Sequence, residues 1–391
     1  MLPAHSQLAL PFLETLNALG GEARPKDVIA ALAERVALTA AEAESSAPRT
    51  WKGRVIAEGL WAKRVRWVRQ DMIRRGHVSG EKRKSWKLTP RGDKFLRTAI
   101  PGLIFTVFET DNGMALWARA EDAVHLFAPD SVNLIFTSPP YPLVKQKHYG
   151  DPAAHYHNWL MGLAREWQRI LAVNGSLVLN LADVYEPGLP VLSLYQEKLL
   201  TALVGNLGFY LAGRGVWENP SKIPGSRWTT QDRVRLNHSF EHIYWLSKTP
   251  HPKADNRRVL RPYSPEHVAK VQRGGMTGKM RPSGHGGSTN PFRLGQGSIP
   301  HSVLTASNSQ SNDGYCRGCR AAGLPIHPAR FPQELPKFYI GLTTEPGDLV
   351  YDPMSGSNTV GKVCEEMGRH WVTSENVLEY ALGGAVRFGV Y

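Results

Sequence analysis

A serine followed by two prolines and a tyrosine, residues 138–141, comes directly after the apolar run 132–136. A strand cannot continue through two prolines, because each proline fixes φ and lacks a backbone N–H. The end of this strand is therefore rigid and rich in hydrogen-bond acceptors, namely the Ser138 hydroxyl and the Pro139 carbonyl. Acceptors held still can orient an amino group, but the same string also occurs in surface turns. The motif alone leaves both interpretations open.

A second motif of small residues lies near the C-terminus. A predicted strand ends at Asp352, the loop "MSGSN" follows, and "TVGKVCEEMG" continues as a predicted helix. Gly356 in this loop lets a ligand approach the backbone closely, next to a helix N-terminus. The next predicted strand ends at Glu375, where a carboxylate can accept hydrogen bonds from ribose hydroxyls. The pattern indicates a place where a nucleoside can bind.

Apolar strands that alternate with helices must position both motifs. Between residues 98 and 250 the pattern predicts strands at "SVNLIFTSPPY", "GSLVLNLAD" and "HSFEHIYWLSK", with helices at "HNWLMGLAREWQRIL" and "EKLLTALVGNLGFYLAG". Such near-continuous apolar strands are typical of an α/β fold with a mostly parallel sheet covered on both faces. Residues 251–325, rich in Gly, Pro, Ser and basic residues, interrupt the pattern and are predicted to be an inserted, flexible target-recognition region.

The N-terminal residues 1–100 have a different organisation. Four leucines at near-helical spacing precede Gly20 and Gly21, and a second helix is predicted to begin at Pro25. A further helix is predicted over about residues 52–75, and "HVSGEKRKSWKLTPRG" indicates two strands joined by a basic turn. The leucines are Leu10, Leu13, Leu16 and Leu19, and the later helix carries an apolar stripe of Trp61, Val65, Val68 and Met72. Helices followed by a basic wing predict a winged-helix DNA-binding domain.

The charge is concentrated in two blocks. The chain of 391 residues has a formal net charge of +13, and residues 49–97 contain 16 basic against 4 acidic side chains, while residues 251–330 contain 12 against 3. Such blocks neutralise phosphates, so a polyanion is the expected partner. The candidate DNA contacts are Lys63, Arg64, Arg66, Arg69, Lys82, Arg83, Lys84, Arg227, Arg257, Arg258, Arg273, Lys279 and Arg281.

Other sequence features favour a cytoplasmic protein. No apolar run is long enough to span a membrane, so no membrane contact is expected, and the N-terminus shows no secretory leader. Three cysteines are too few for a disulfide framework. Cys316 and Cys319 form one C-x-x-C pair without a second, so we expect no metal, although a structural zinc site stays open.

Taken together, the motifs resemble the β-class amino-methyltransferases of DNA, whose catalytic strand precedes the cofactor strand in a permuted order. Here "TSPPY" at 137–141 precedes "HPARFPQELPKFY" at 327–339 and "DPMSGSNT" at 352–359. The resemblance spans about residues 104–391. It implies a permuted Rossmann-like domain over residues 101–391, S-adenosylmethionine as cofactor and double-stranded DNA as substrate. Residues in "WAKRVRWVRQDMIRRGHV" and "WKLTPRG" similarly resemble the N-terminal domain of Mrr-type restriction proteins.

The resemblance also implies roles for single residues. Its catalytic positions fall on Ser138, Pro139, Pro140 and Tyr141, with Tyr141 stacking on the target base. Its cofactor positions fall on Asp122, Phe331, Pro332, Asp352, Met354, Gly356, Ser357, Asn358, Thr359 and Glu375. Met354 stands where the family usually has Phe, and Asn358 where it usually has Gly. Asn tolerates a left-handed backbone better than other non-glycine residues, so the loop can keep its shape.

The predicted reaction is methyl transfer to the exocyclic N4 of cytosine in a specific DNA sequence, with the base flipped out of the duplex. A serine hydroxyl can accept from the amino group and donate to the neighbouring ring nitrogen, which suits cytosine. No cysteine follows the prolines, which argues against a thiol route to carbon-5. Methylation of adenine N6 and a DNA-binding protein without turnover remain alternatives. A cognate restriction endonuclease and a second copy of the chain are left open as further partners.

Overall fold

A computed structural model describes residues 2–3, 8–36, 38–51, 54–80, 84–142, 153–273, 295–309 and 312–390. The chain forms two compact units, Met1–Thr98 and Ala99–Tyr391. Each unit has its own apolar core. No helix among the described residues is long and apolar enough to cross a membrane.

The N-terminal unit combines helices with short antiparallel strands. Its elements are α1 (Ala9–Ala18), β1 (Glu22–Ala23), α2 (Pro25–Arg35), α3 (Ala40–Ala43), β2 (Ser46–Trp51), β3 (Arg54–Gly59), α4 (Leu60–Arg74), β4 (Val78–Ser79), β5 (Trp86–Leu88) and α5 (Pro90–Arg97). β1, β5 and β4 form a three-stranded sheet in that order, and β2 pairs with β3. The predicted helix start at Pro25 and the predicted hairpin over 78–88 are confirmed. Its use as a DNA-binding domain stays a prediction.

The helix predicted over about residues 52–75 is shorter than expected. The structure has strand β3 up to Gly59, and α4 begins only at Leu60. β-Branched residues at 55 and 56 favour an extended backbone, which explains why the helix does not start earlier. The predicted apolar stripe on α4 is fully buried, whereas Leu19, placed in the α1 stripe from sequence, is exposed.

The C-terminal unit contains nine strands and eight helices among its described residues. These are β6 (Phe105–Glu109), β7 (Gly113–Trp117), α6 (Ala120–Ala123), β8 (Val132–Thr137), α7 (Ala153–Ile170), β9 (Leu171–Leu181), α8 (Tyr195–Leu207), β10 (Tyr210–Glu218), β11 (Phe240–Ser247), α9 (Pro265–Gln272), β12 (Val303–Thr305), α10 (Gly314–Ala321), α11 (Glu334–Thr343), β13 (Leu349–Asp352), α12 (Thr359–Glu366), β14 (His370–Glu375) and α13 (Leu378–Ala385).

All nine strands belong to one sheet with the order β12-β10-β11-β9-β8-β13-β14-β7-β6. The pairs β9–β8, β8–β13, β13–β14, β14–β7 and β10–β12 are parallel. The pairs β10–β11, β11–β9 and β6–β7 are antiparallel. The predicted α/β fold with a mostly parallel sheet is therefore confirmed. The strand "HSFEHIYWLSK" exists as predicted, but it runs antiparallel to both of its neighbours.

Helices bury apolar side chains against both faces of this sheet. α7 and α8 contribute Leu160, Trp167 and Leu203 to one core cluster. α11 and α12 contribute Ile340 and Val363 to the other. Two covered faces explain why the central strands are almost uniformly apolar.

The predicted inserted region 251–325 is not separate from this architecture. β12 extends the sheet beside β10, and α10 packs through its buried thiols into a small apolar cluster. These elements were missed because Gly, Pro and Ser dominate the composition around them. Residues 274–294 of the region lie outside the described part of the chain.

Candidate active site

The two sequence motifs meet because their strands are adjacent. β8 pairs with β9 on one side and with β13 on the other. From β8 the chain proceeds to β9 on one side, whereas from β13 it proceeds to β14 on the other side. The strand order thus reverses between β8 and β13. In open α/β sheets, ligands bind at such a reversal, outside the carboxyl ends of the strands. The loops after β8 and β13 are the two motifs.

A cavity of about 330 Å³ lies at this point. The loops that follow β7, β8, β13 and β14 form most of its wall, together with the segment before α11 and the start of α13. It is lined by Arg119, Ala120, Glu121, Ser138, Pro139, Pro140, Tyr141, Trp159, His327, Ala329, Arg330, Phe331, Pro353, Met354, Ser355, Gly356, Ser357, Thr359, Glu375, Asn376, Val377 and Tyr380. All four predicted catalytic residues and six of the ten predicted cofactor residues are among them.

Gly356 is held tightly between a carboxylate and an imidazole. Its backbone is left-handed, with φ +52°, and its N–H donates to Glu375 Oε2 at 2.8 Å. The other carboxylate oxygen accepts from the Val377 N–H at 2.9 Å. A Cβ at position 356 would stand 2.8 Å from His327 Cε1. Only glycine therefore fits here, and burial raises the pKa of Glu375.

Three predicted cofactor residues do not line the cavity, and two of them, Asp352 and Asn358, hydrogen-bond at the two ends of this loop. Asp352 Oδ1 accepts from the Met354 N–H at 3.1 Å, and burial raises the pKa of Asp352 to about 7. Asn358 has φ +55°, and its side chain caps α12 by accepting from the Gly361 N–H at 3.2 Å. Pro332 is likewise absent from the described wall, although the adjacent Phe331 is part of it. The left-handed backbone expected for Asn358 is confirmed.

The acidic side chain on the cavity wall near α6 is Glu121, not Asp122 as predicted. Glu121 Oε1 accepts from Arg119 Nη2 at 2.9 Å and from Trp159 Nε1 at 2.8 Å. Although burial alone would raise it, the pKa of Glu121 is lowered by these hydrogen bonds. Asp122 is not among the lining residues, and its Oδ2 lies 3.8 Å from Arg119 Nε. Two neighbouring acids in "ARAEDAV" made the sequence assignment ambiguous by one residue.

The catalytic motif is tied into a polar network. Ser138 Oγ lies 3.2 Å from Tyr141 Oη and donates to the Asn180 carbonyl at 3.2 Å. Tyr141 Oη donates to Glu241 Oε2 at 2.9 Å, and Asn180 Nδ2 donates to the same oxygen at 2.7 Å. Lys222 Nζ lies 3.2 Å from Glu241 Oε1. Burial, followed by the charge of Glu241, raises the pKa of Tyr141 well above its usual value.

Sequence reasoning missed Asn180, Glu241 and Lys222. The available signal was chemical: two of the three are polar residues inside otherwise apolar predicted strands, "GSLVLNLAD" and "HSFEHIYWLSK". The network also uses the Ser138 hydrogen within the protein. In this arrangement Ser138 can therefore still accept from the amino group of cytosine. It cannot at the same time donate to the neighbouring ring nitrogen, as the sequence argument assumed.

The predicted DNA-contact residues differ in exposure. Lys63, Arg66, Lys84, Arg227, Arg257 and Arg273 are exposed. Arg69 is only 5% exposed, because its Nη2 donates to the Gly80 carbonyl at 2.7 Å and its guanidinium lies over the Trp86 ring. Its assignment as a DNA contact is therefore wrong.

Two further arginines are partly buried, and their guanidinium groups donate hydrogen bonds to backbone carbonyls within the protein. Arg64 Nη1 donates to the Leu2 carbonyl at 2.9 Å. Arg258 Nη1 donates to the Thr344 carbonyl at 2.5 Å and lies 3.5 Å from Glu345 through Nη2. These contacts leave less of each guanidinium for DNA than predicted. The predicted contacts Lys82, Arg83, Lys279 and Arg281 lie outside the described residues.

The C-x-x-C pair is part of an apolar cluster. Cys316 and Cys319 are both buried on α10, and burial raises the pKa of each thiol. Within the described ranges, no group of three or more His, Cys, Asp or Glu side chains could hold a metal ion.

The cavity has the chemistry that a nucleoside with a cationic group needs. Glu375 and Glu121 supply carboxylates on the wall, while Trp159 and Phe331 supply aromatic surface. The left-handed Gly356 puts bare backbone on the cavity wall, where a side chain would collide with His327. These residues fit S-adenosylmethionine, the cofactor that the sequence motifs imply.

Comparisons with known proteins agree with this site. The profile of a family described as DNA methylase matches residues 132–383, and that of the Mrr N-terminal domain matches residues 5–98. The type II methyltransferase M.PvuII of Proteus hauseri is 36% identical over 285 residues, which cover 72% of this chain and 85% of the relative. The type II methyltransferase M.BglII of Bacillus subtilis is 26% identical over 256 residues, 64% of this chain and 62% of the relative.

The structural comparison points the same way. A solved structure described as PvuII DNA methyltransferase (cytosine-N4-specific) matches with a TM-score of 0.58 and 33% sequence identity, covering 71% of this chain and 87% of the other.

Proposed function

This chain belongs to the DNA methylase family, and we propose that it transfers a methyl group from S-adenosylmethionine to the exocyclic N4 of cytosine in double-stranded DNA. The observation that carries the proposal is that the rigid tip 138–141 and the loop 353–357 line one cavity. A similar protein, 33% identical to this chain, is described as cytosine-N4-specific. The alternative of a DNA-binding protein without turnover gives no reason for these two motifs to converge.

We propose that the residues after β13 and β14 bind the cofactor, and that the tip after β8 positions the target base. Gly356, Ser357 and Glu375 hold the cofactor, and Glu375 accepts hydrogen bonds from its ribose hydroxyls. Glu121 lies near the adenine of the cofactor. S-adenosylmethionine, when bound, supplies an electrophilic methyl group. Ser138 and the Pro139 carbonyl hold the amino hydrogens of the target base, so that the nitrogen lone pair can leave its conjugation with the ring. Tyr141, predicted to stack on the base, is engaged through its hydroxyl with Glu241.

Phe331 and Met354 complete the proposed cofactor wall with apolar surface. We assign Asp352 and Asn358 a supporting role, because their side chains accept hydrogen bonds from the backbone at the two ends of the loop. Pro332 stays a predicted cofactor residue next to Phe331. Thr359 is the first residue of α12 and its hydroxyl lies 3.1 Å from that of Ser357. Pro139 and Pro140 act by fixing the backbone of the tip.

Duplex DNA is the proposed partner of the exposed basic residues. Arg227 lies with its guanidinium 4.1 Å from the Trp228 ring, on the segment that also contains Lys222. Cationic and aromatic groups together suit a DNA backbone and an unstacked base. We further propose a type II restriction endonuclease as the cellular partner and the cytoplasm as the location. Association with a second copy of the chain stays a prediction.

The test is expression in a host that lacks DNA methylation, followed by mass spectrometry of hydrolysed nucleosides. We expect N4-methylcytosine in DNA from cells with the wild-type protein. Ser138→Ala should abolish it while S-adenosylmethionine still binds. Ser131→Ala, at the opposite end of β8, is the matched control and should retain activity. If only N6-methyladenine were found, the substrate would be adenine and not cytosine. If the DNA contained no modified base, the result would favour the DNA-binding alternative.

A further inference from the structure

A hydrogen-bonded chain leads from a lysine to the catalytic serine. It runs from Lys222 Nζ to Glu241 Oε1 at 3.2 Å, from Glu241 Oε2 to Tyr141 Oη at 2.9 Å, and from Tyr141 Oη to Ser138 Oγ at 3.2 Å. The Glu241 side chain is only 13% exposed and that of Lys222 is 31% exposed. Asn180 Nδ2 adds a further donor to Glu241 Oε2 at 2.7 Å.

The ion pair with Lys222 dictates the direction of these hydrogen bonds. A carboxylate only accepts, so the phenol of Tyr141 gives its single hydrogen to Glu241 Oε2. The Tyr141 oxygen can then only accept from Ser138. The Ser138 hydrogen has two acceptors, the Tyr141 oxygen and the Asn180 carbonyl, each at 3.2 Å. Asn180 Nδ2 also approaches Ser138 Oγ, at 3.5 Å, so in both cases one lone pair of Ser138 is left for the cavity.

We propose that Glu241 is a positioning residue for methyl transfer: acting through Tyr141, it keeps Ser138 as an acceptor for the amino group of the target base. This inference rests on the proposed function. A serine without such a partner can rotate and present its hydrogen to the amino group, which would not hold the group for attack. The orientation exists before substrate arrives, so none of it must be arranged during the reaction.

Lys222 lowers the free-energy cost of burying the Glu241 carboxylate, which is only 13% exposed. A buried charge without a partner is costly, whereas an ion pair with additional hydrogen bonds offsets the loss of water. Lys222 is held in turn by its backbone, because its carbonyl accepts from Asn237 Nδ2 at 3.0 Å. The carboxylate is thus bound by three donors from three different segments, which fixes its position as well as its charge.

The experiment compares single-turnover methylation by the full-length variants Glu241→Gln and Tyr141→Phe and by the double variant. Glutamine has nearly the same shape, but it offers both N–H and C=O and loses the ion pair, so the direction of the Tyr141 hydrogen bond is no longer fixed. We expect each single variant to lower the methyl-transfer rate constant about 100-fold, while S-adenosylmethionine and DNA bind within about twofold of wild type. The double variant should be no slower than the slower single variant, because both changes break the same chain.

Glu218→Gln is the matched control, since Glu218 is exposed at the end of β10 and its Oε2 accepts only from Thr305 among the contacts described. It should methylate at the wild-type rate. A Glu241→Gln rate near wild type, or losses that multiply in the double variant, would overturn the inference. If Glu241→Gln lost cofactor binding, Tyr141→Phe would decide alone, and an unchanged rate there would also overturn it. Absence of methylation by both wild type and Glu218→Gln would instead count against the proposed function.

Discussion

Replacing Gly356 by alanine should weaken binding of S-adenosylmethionine. The new Cβ would stand 2.8 Å from His327 Cε1 and 3.0 Å from its Nδ1. The imidazole must then move away from the Ala329 carbonyl, 2.7 Å from Nδ1, and from the Tyr380 ring, whose centroid is 4.6 Å away. Losing one hydrogen bond and one edge-to-face contact costs about 2 kcal/mol in sum. Because both residues line the cavity, the cofactor can bind as in the wild type only by forcing the displaced ring back against the new Cβ, and a cost of about 2 kcal/mol for this step raises the dissociation constant about 30-fold.

Backbone strain must be separated from the contact with His327. Any L-residue with a left-handed backbone costs about 1–2 kcal/mol. Gly347 has φ +86° and nothing within 4 Å of a built Cβ, so Gly347→Ala carries the strain without the contact. Its cofactor affinity should stay at the wild-type value, while its thermal unfolding temperature falls slightly.

Isothermal titration with S-adenosylmethionine measures the dissociation constants, and thermal unfolding confirms that each variant is folded. Adding His327→Ala to Gly356→Ala removes the ring and should recover most of the lost affinity. Equal dissociation constants for Gly356→Ala and Gly347→Ala would refute the reasoning. So would a double variant that binds as weakly as Gly356→Ala alone.

Two further outcomes follow from buried charges. Since burial raises the pKa of Asp352 to about 7, the folded protein retains a proton that the unfolded chain releases near pH 4, and the free energy of unfolding should fall between about pH 4 and pH 7. Asp352→Asn should remove about 3 kcal/mol of this pH dependence when urea unfolding at pH 5 is compared with unfolding at pH 8; equal pH dependence in the two proteins would contradict the assignment. Arg69→Leu should destabilise the N-terminal unit by about 1–3 kcal/mol, since it leaves the Gly80 carbonyl without this donor. Arg66→Glu, at an exposed position, should instead weaken DNA binding in fluorescence anisotropy without changing thermal unfolding. If Arg69→Leu weakened DNA binding and left thermal unfolding unchanged, Arg69 would be a DNA contact after all.

The strands that carry the site were predictable because their ends have distinctive chemistry. An apolar run that stops at consecutive prolines, and another that stops at Asp352 before small residues, mark the carboxyl ends of β8 and β13. Their adjacency has no local signal, since more than 200 residues separate them in the sequence. The structure alone shows it, through the pairing of β8 with β13.

The position of Arg69 could have been predicted from helical geometry. It follows Val65 by four residues, and residues at i and i+4 share one face of a helix. Val65 belongs to the buried stripe, so Arg69 had to lie beside it. Counting charges along the sequence hid this, because net charge does not depend on the face on which a residue lies.

Glu241 could not be placed in the same way. Its contact with Tyr141 spans 100 residues, and it exists because β11 runs antiparallel to β9. An antiparallel strand begins at the edge where its parallel neighbours end, so the start of β11 lies beside the end of β9. The sequence predicted the strand but not its direction.

The arrangement of the cavity also explains why the target base must leave the duplex. Neighbouring strands lie about 4.8 Å apart, so the tip after β8 and the loop after β13 face each other without any hinge. Ser138 therefore already lies on the wall of the cavity that the cofactor loop forms. A base within a stack cannot enter a cavity of about 330 Å³ that is lined by loops at the end of the sheet. Flipping the base costs a few kcal/mol of unstacking, and binding of the DNA backbone by exposed basic residues can offset that cost.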